Sequence, residues 1–309
     1  MTQTYIGVDL SKDWLDIFDP EQGGVLRVPN KETAIRAWLE SLDHDAMVVC
    51  EATSGCDGVL LSEAGALGRP VHRANPLHCF HFARSLNLAK TDRVDARMLA
   101  RYGAERHPHA TVLGAASQRA LAELVGRRDQ LKRMETQEKN RLSKASLKAV
   151  RADIKDSLAD LARRIRTAVA AIRTHLEAHA DLAHAATLLE TVPGIGPNTS
   201  ATLLALMPEL GAMDRRQAAS LAGLAPRARE SGRWKGTRHI GDGRRSIRRA
   251  LYMAAVGLTR KTSPFARAVE RMRAANKPGK VIVIALARKI ITIANAVLRD
   301  QIPFEIAAK

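Results

Sequence analysis

Apolar positions along the first hundred residues change period several times. YIGVDL (5–10) reads as a buried strand that ends near an acid. WLDIF (14–18) and VLRVP (25–29) follow at hairpin spacing. In KETAIRAWLESL (31–42), Ile35, Trp38, Leu39 and Leu42 fall on one helical face. AMVVCE (46–51) is a short continuous apolar run, the pattern of a central strand, again closed by an acid. GVLLSEAGALG (58–68) predicts a helix closed by glycine, PVHRAN (70–75) a strand, and TDRVDARMLARYGAE (91–105) a helix. Three strands, helix, strand, helix, strand, helix predict a mixed sheet with helices packed on it.

The period then settles on that of a helix. Leu147, Val150, Ile154, Leu158, Leu161, Ile165, Ala168, Ile172 and Leu176 step by three, four or seven, and no proline falls between 109 and 192. This predicts a long helical hairpin or coiled-coil arm, whose seam needs a partner helix from this chain or another. Beyond it, LLETVPGIGPNTSATLLALM places a Gly-x-Gly turn between two helical segments, with Pro197 set to open the second. A helix from about 246 to 261 and a final apolar helix over 280–300 complete a mainly α region. The expected division is 1–116, an α/β domain; 117–183, the helical arm; and 184–309, a helical domain with a helix-hairpin-helix.

Composition narrows the class. The chain has 309 residues and is 46% hydrophobic, which excludes wholesale disorder. It shows no uninterrupted run of about 18 apolar residues, so no membrane association is expected, and no secretion signal at its start. Cys50, Cys56 and Cys79 form neither C-x-x-C nor a His/Cys cluster and read as reduced thiols of a cytoplasmic protein. Charge is more informative. The formal net charge is +17, yet residues 1–100 carry 10 Lys/Arg against 14 Asp/Glu, and residues 101–309 carry 39 against 18. The positive charge belongs to the later two-thirds, and nucleic acid is the default partner for it.

Four acids stand out in the acidic part. Asp9 and Glu51 close apolar strands, where side chains emerge from a sheet into a crevice. Asp92 and Asp95 are spaced i,i+3 on one helical face. Gathered by the sheet, such carboxylates need a cation, and hard oxygen donors suit Mg²⁺ or Mn²⁺. Taken singly, each reads better as a cap or a surface charge; their joint placement in the acidic part of a basic chain favours the metal site. IGVDLSKDWLDIF also resembles the first phosphate loop of actin-like and sugar kinases, but the glycine-rich segments that should follow are missing. No G-x-x-x-x-G-K-[ST] segment is present, so no nucleotide cofactor is expected.

The basic part carries its own candidates. VPGIGPNTSA (192–201) offers backbone N–H groups, at Gly194 and Gly196, to a nucleic-acid phosphate. Residues 227–249 hold nine Lys/Arg against Glu230 and Asp242. Arg229, Arg233, Lys235 and Arg238 are candidates for a DNA strand; Arg244, Arg245, Arg248 and Arg249, at the start of a helix, for backbone or RNA. Trp234 either stacks on a base or is buried. Ser231 stands among them before a glycine, which by itself describes an ordinary turn.

Together these pieces resemble the DEDD transposases of the IS110 insertion-sequence family, whose members include the Piv invertases. The matching segments are IGVD (6–9), VVCEATSG (48–55), KTDRVDARMLA (90–100), PGIG (193–196), AGLAP (222–226), Ser231-Gly232 and ALYMAA (250–255). The resemblance implies an RNase-H-like (RuvC-like) first domain in which Asp9, Glu51, Asp92 and Asp95 bind metal. It implies Ser231 as a nucleophile that links covalently to DNA. It also implies donor and target DNA chosen by a structured bridge RNA, and an active site shared between subunits as dimers assemble to a tetramer at the nucleoid. Two other readings remain at this point: a RuvC-like junction nuclease that uses water, and a non-catalytic nucleic-acid-binding protein.

Overall fold

The structure is a computed structural model. It describes residues 3–52, 55–86, 92–227, 230–231, 234–236 and 238–305, and the side chains of these except at 92–94, 230–231 and 234–235. The chain forms two compact units, Met1–Ala115 and Ala116–Lys309.

The first unit contains β1 (Tyr5–Leu10), β2 (Trp14–Phe18), β3 (Val25–Pro29), α1 (Glu32–Glu40), β4 (Met47–Glu51), α2 (Gly58–Ala66), β5 (Val71–Ala74), α3 (Pro76–Ser85) and α4 (Asp92–Arg106). The sheet order is β3-β2-β1-β4-β5. β1, β2 and β3 pair antiparallel, while β1, β4 and β5 are parallel. This mixed sheet is compatible with an RNase-H-like domain. Alternation along β1 sends Ile6, Val8 and Leu10 into a core shared with Leu15, Ile17, Leu39 and Leu60. Tyr5 faces the other side, with Val49, Cys79, Leu99 and Tyr102.

α3 has no counterpart in the sequence reading, which places no element between 75 and 91. Asn75 caps it by accepting from Leu77 N at 2.9 Å, and Pro76 opens it. Only Cys79 and Phe82 are buried, too narrow an apolar stripe to mark a helix.

α4 lies directly on β1, and a glycine makes that possible. A Cβ on Gly7 would fall 1.9 Å from Ala96 O and 2.5 Å from Ala100 N. One on Gly103 would fall 2.6 Å from the Tyr5 ring. The helix therefore runs antiparallel to β1.

The second unit begins with α5 (Ala116–Lys144) and α6 (Lys148–Glu177). They form an antiparallel hairpin: His175 Nε2 donates to Ser117 O at 2.8 Å at one end, and Arg151 Nη1 to Leu142 O and Ala145 O at the other. Leu131, Leu161 and Ile165 fill its middle, while Leu121, Val125 and Ile172 join the unit's main core. Leu147 and Val150, counted into the seam by spacing, are 66% and 46% exposed. Leu147 is the N-cap of α6 and lies outside the helix, so its apolar spacing has no facing residue.

Then come α7 (Ala180–Glu190), α8 (Pro197–Leu206), α9 (Arg215–Leu221), four two-residue strands, α10 (Arg245–Gly257), α11 (Ala266–Ala274) and α12 (Gly279–Asp300). The strands are β6 (Pro226–Arg227), β7 (Glu230–Ser231), β8 (Trp234–Lys235) and β9 (His239–Ile240). Neither these strands nor α11 were expected from pattern. α12 is, by length and composition, apolar enough to cross a membrane, although Lys280, Arg288 and Lys289 leave it without an uninterrupted apolar run. Its Ile282, Leu286, Ile290, Ile291 and Val297 instead pack into the core. Each such side chain contributes about 1.5–3 kcal/mol relative to exposure.

A polar network ties the hairpin to this core. Arg128 of α5, 7% exposed, donates to Asp129 Oδ1 at 2.8 Å and to Thr202 Oγ1 of α8 at 3.0 Å. Arg249 of α10 grips the other oxygen of Asp129 at 2.5 Å. Charge-assisted bonds of this kind satisfy an otherwise costly buried guanidinium.

Candidate active site and nucleic-acid interface

Side chains alternate along a strand, so Tyr5, Gly7 and Asp9 share the α4 face of β1, and Met47, Val49 and Glu51 share the same face of β4. The parallel register pairs Gly7 with Val49 and Val8 with Cys50. One residue further, Asp9 and Glu51 stand beside each other at the carboxyl ends of neighbouring strands. α4 supplies the third acid. From Tyr5 to Asp9 the strand advances about 13 Å. From Gly103 back to Asp95 the helix advances about 12 Å. Since Gly103 sits over Tyr5, Asp95 reaches the level of Asp9. Asp92 opens the same helix; its side chain, with Lys90 and Thr91 of that motif and Thr53 and Ser54 of the Glu51 segment, lies outside the described residues.

The charge of Glu51 acts across this face of the sheet. Burial, and then the negative charge of Glu51, push the Cys79 thiol of α3 up to about 12. Burial, then Asp57, do the same to Cys50 on the opposite face of the sheet. Asp9 Oδ1 accepts from Leu10 N at 3.1 Å. Among the described residues, no three Asp, Glu, His or Cys side chains are close enough to hold one ion. The donors at this face are nonetheless of the type that divalent Mg²⁺ or Mn²⁺ takes, since all are carboxylates.

One acid here escaped the sequence reading. Asp16 pairs directly with Asp9 across β1 and β2. It is 6% exposed, and Arg27 of β3 holds both its oxygens at 2.8 Å. The alternation of WLDIF, which puts Asp16 on the face of Trp14 and Phe18, was the available signal.

In the second unit, β6 pairs with β9, and inside that ladder β7 pairs with β8, Ser231 opposite Trp234. Ser231 thus ends β7 near the tip of nested antiparallel pairs. Its side chain and those of Trp234 and Lys235 lie outside the described residues, as do Arg229, Gly232 and Arg233 altogether. At the base of these pairs is a groove of about 1020 Å³ between β9, α10 and the start of α12. Six cations line it: Arg238, Arg245, Arg248, Arg249, Lys277 and Lys280. Lys277 and Lys280 were not singled out from sequence.

The arginines read from sequence as one patch divide by partner. Arg244 is bound within the fold, its guanidinium donating to both Glu209 oxygens at 2.6 Å and to Leu206 O at 2.8 Å. Arg248 donates to Asp242 O at 2.6 Å, where two loops cross. Gly223 and Gly243 allow that crossing: both have positive φ, and a Cβ on Gly243 would fall 2.4 Å from Gly223 N. Arg249 is held by Asp129. Among the described residues, no ion pair involves Arg238 or Arg245. At the α7–α8 turn, Gly194 has φ +90° and packs against α10, where a Cβ would meet Ala254 O at 2.9 Å. Gly196, the N-cap of α8, faces open space.

An α/β unit with acids at its strand ends, followed by a basic helical unit, has the two parts that a DNA-cleaving, DNA-gripping enzyme requires. Similarity to known proteins says which. Residues 6–151 match the IS110-type DEDD transposase family and residues 186–270 the transposase IS116/IS110/IS902 family. Pilin gene-inverting proteins of Moraxella bovis and Moraxella lacunata are each 30% identical over 325 residues, covering 99% of this chain and 98% of theirs. An uncharacterized 44.8 kDa protein of insertion element IS116 from Streptomyces clavuligerus is 32% identical over 118 residues, 38% of this chain and 30% of that protein. The chain belongs to the IS110 family of insertion-sequence transposases.

Proposed function

We propose that this transposase cuts and rejoins DNA through a phosphoserine link at Ser231, with Asp9, Glu51, Asp92 and Asp95 as the metal-binding face. The observation that carries the reading is the shared face of Asp9, Glu51 and Asp95 at the ends of β1, β4 and α4. A divalent cation held there supplies neutralisation of charge at the scissile phosphate.

The residues do the rest. Arg238, Arg245 and Lys280 hold the phosphate backbone in the groove beneath the paired strands that carry Ser231. Ser231 Oγ bonds to phosphorus, its proton passing to solvent or to a carboxylate. The bond from phosphorus to a sugar oxygen breaks, and that oxygen leaves with the electron pair and takes up a proton. Resealing is the reverse, with a sugar hydroxyl attacking and Ser231 released. Phosphodiester energy is conserved throughout, so no nucleotide cofactor is required.

In this reading α7, the turn and α8 act as a helix-hairpin-helix, with Gly196 toward phosphate and Gly194 toward the core. The stretch 117–183 is a coiled-coil arm between a catalytic domain (1–116) and a serine-bearing domain (184–309). Dimers assembling to a tetramer bring Ser231 of one copy to the carboxylates of another, and a bridge RNA selects donor and target. The test is trapping. Incubation with labelled DNA, guide RNA and Mg²⁺, followed by denaturation, leaves label on the peptide that contains Ser231. Full cleavage by Ser231→Ala protein, with no adduct in wild type, would replace this reading with a water-using nuclease.

A further inference from the structure

We propose that the cleft between α9 and the middle of α12 is a second binding site for a phosphodiester backbone, separate from the groove at α10. It rests on the reading of this unit as a nucleic-acid interface. The cleft encloses about 570 Å³, with Arg215 and Arg216 on one wall and Arg288, Lys289 and Thr292 on the other. Ala285 and Ile293 complete it, so no carboxylate lines it.

Four cations held together in a cleft lined by no carboxylate repel one another, whereas arginines that enter this unit's framework are paired. Arg128, Arg244, Arg249 and Arg299 all have carboxylate partners. Among the described residues, no ion pair involves Arg215, Arg216, Arg288 or Lys289. The neighbouring acid, Asp214, is turned to the backbone, accepting from Arg216 N at 2.6 Å and Gln217 N at 2.8 Å.

The walls are fixed. Asn295 of α12, 3% exposed, accepts from Gly211 N at 2.9 Å and donates to Met213 O at 2.7 Å. The loop leading into α9 is thereby fastened to α12, and Arg215 and Arg216 are held opposite Arg288. Lys289 Nζ lies 4.8 Å over the Phe265 ring. From Lys280 in the α10 groove to Arg288 is about 12 Å along the helix and about 80° around it. Successive phosphates of one strand rise by about 3.4 Å. One phosphate cannot serve both places, but one nucleic acid can.

The test is binding of the full-length chain to a fluorescent 30-bp DNA duplex and to an RNA hairpin, by anisotropy across a salt series. Removing one cation that neutralises a phosphate lowers the slope of log K against log salt by about 0.9 on duplex DNA and about 0.7 on single strands. Arg288→Ala/Lys289→Ala is expected to lower the slope by one to two units with one or both ligands and to weaken binding by about tenfold near 0.1 M salt. Arg288→Lys/Lys289→Arg, which keeps both charges, is expected to keep the wild-type slope. Arg245→Ala/Lys280→Ala removes two cations from the other groove, and the two effects should add. If that variant has a reduced slope while Arg288→Ala/Lys289→Ala keeps the full slope on both ligands, the nucleic-acid reading stands and the second site falls. If Lys155→Ala/Arg166→Ala, an equal charge change on the hairpin, lowers the slope as much, the effect is overall charge and the second site again falls. A wild-type chain with no salt-dependent binding overturns both.

Discussion

Gly7→Ala isolates the close approach that aligns the carboxylates. The added Cβ would sit 1.9 Å from Ala96 O and 2.5 Å from Ala100 N, both backbone atoms of α4. Real Cβ contacts essentially never fall below 3.0 Å. The helix must therefore withdraw by at least 1.1 Å, the difference between 1.9 and 3.0 Å. No side chain can rotate to absorb this, and over-packing of that kind costs about 1–3 kcal/mol. The same withdrawal carries Asp95, next to Ala96, away from Asp9 and Glu51. A misplacement of about 1 Å in a positioned site costs on the order of 100-fold in rate. The unfolding assay is urea-induced fluorescence change in a Trp234→Phe background, because the other tryptophans, Trp14 and Trp38, both lie in the first unit. Strand cleavage is then measured at urea-free conditions where the variant is folded. The expected result is a modest loss of stability with a much larger loss of cleavage. A variant that matches wild type in both would refute the close approach of α4 to β1. One that unfolds more easily but cleaves normally would refute the placement of Asp95 in the site.

Other outcomes follow from the same geometry. Asp9→Asn should lower cleavage at least 100-fold, the worth of several kcal/mol of charge stabilisation, while electrophoretic mobility shift shows DNA binding retained. Arg244→Ala should cost about 1.5–3 kcal/mol in urea unfolding, since it strands Glu209, with little effect on the salt slope of DNA binding. Arg245→Ala should do the reverse, changing stability by less than about 0.5 kcal/mol and lowering the slope by about 0.9. Cys50 and Cys79 should resist iodoacetamide at pH 8 in the folded protein, because the neutral thiol persists until about pH 12. Folded values raised above unfolded ones mean that this contribution to stability is fully present below the unfolded thiol range and is lost as pH rises toward about 12. Alkylation of either residue at the rate of a free thiol, read by peptide mass mapping, would contradict their burial.

What could be read from the residues depended on how local the cause was. β2 and β3 match their expected bounds because alternation and turn spacing act within a dozen residues. The position of Asp9 and Glu51 at strand ends was legible because each closes an apolar run. Asp16 was not, because its partner Arg27 and its neighbour Asp9 are fixed only when three strands align. The paired strands around Ser231 were missed because two-residue strands have no period to detect. The nine basic residues of 227–249 look alike as letters. Arg244 and Arg249 are separated from the rest by Glu209 and Asp129, carboxylates 35 and 120 positions away.

That division explains how a chain of formal charge +17 stays folded. Self-repulsion destabilises a compact basic protein, and pairing every cation would leave nothing for DNA. The second unit resolves the conflict by position. Arginines that enter its framework are matched to acids, Arg128 to the adjacent Asp129 and Arg244 and Arg249 to acids from distant segments, so all three strengthen the fold. Arg238 and Arg245 at the α10 groove, and Arg215, Arg216 and Arg288 at the α9–α12 cleft, have no ion pair among the described residues. A polyanion that neutralises those surfaces binds the folded state and not the unfolded chain, so it also stabilises the unit by mass action. Arg249 stands at the boundary of the two classes, bordering the groove while clamped to Asp129 beside the buried Arg128. On the proposed reading of the groove, a phosphate drawn to Arg249 would compete with the carboxylate that fastens the α5–α6 hairpin to α10, and the grip on nucleic acid and the seating of the hairpin would be parts of one electrostatic balance.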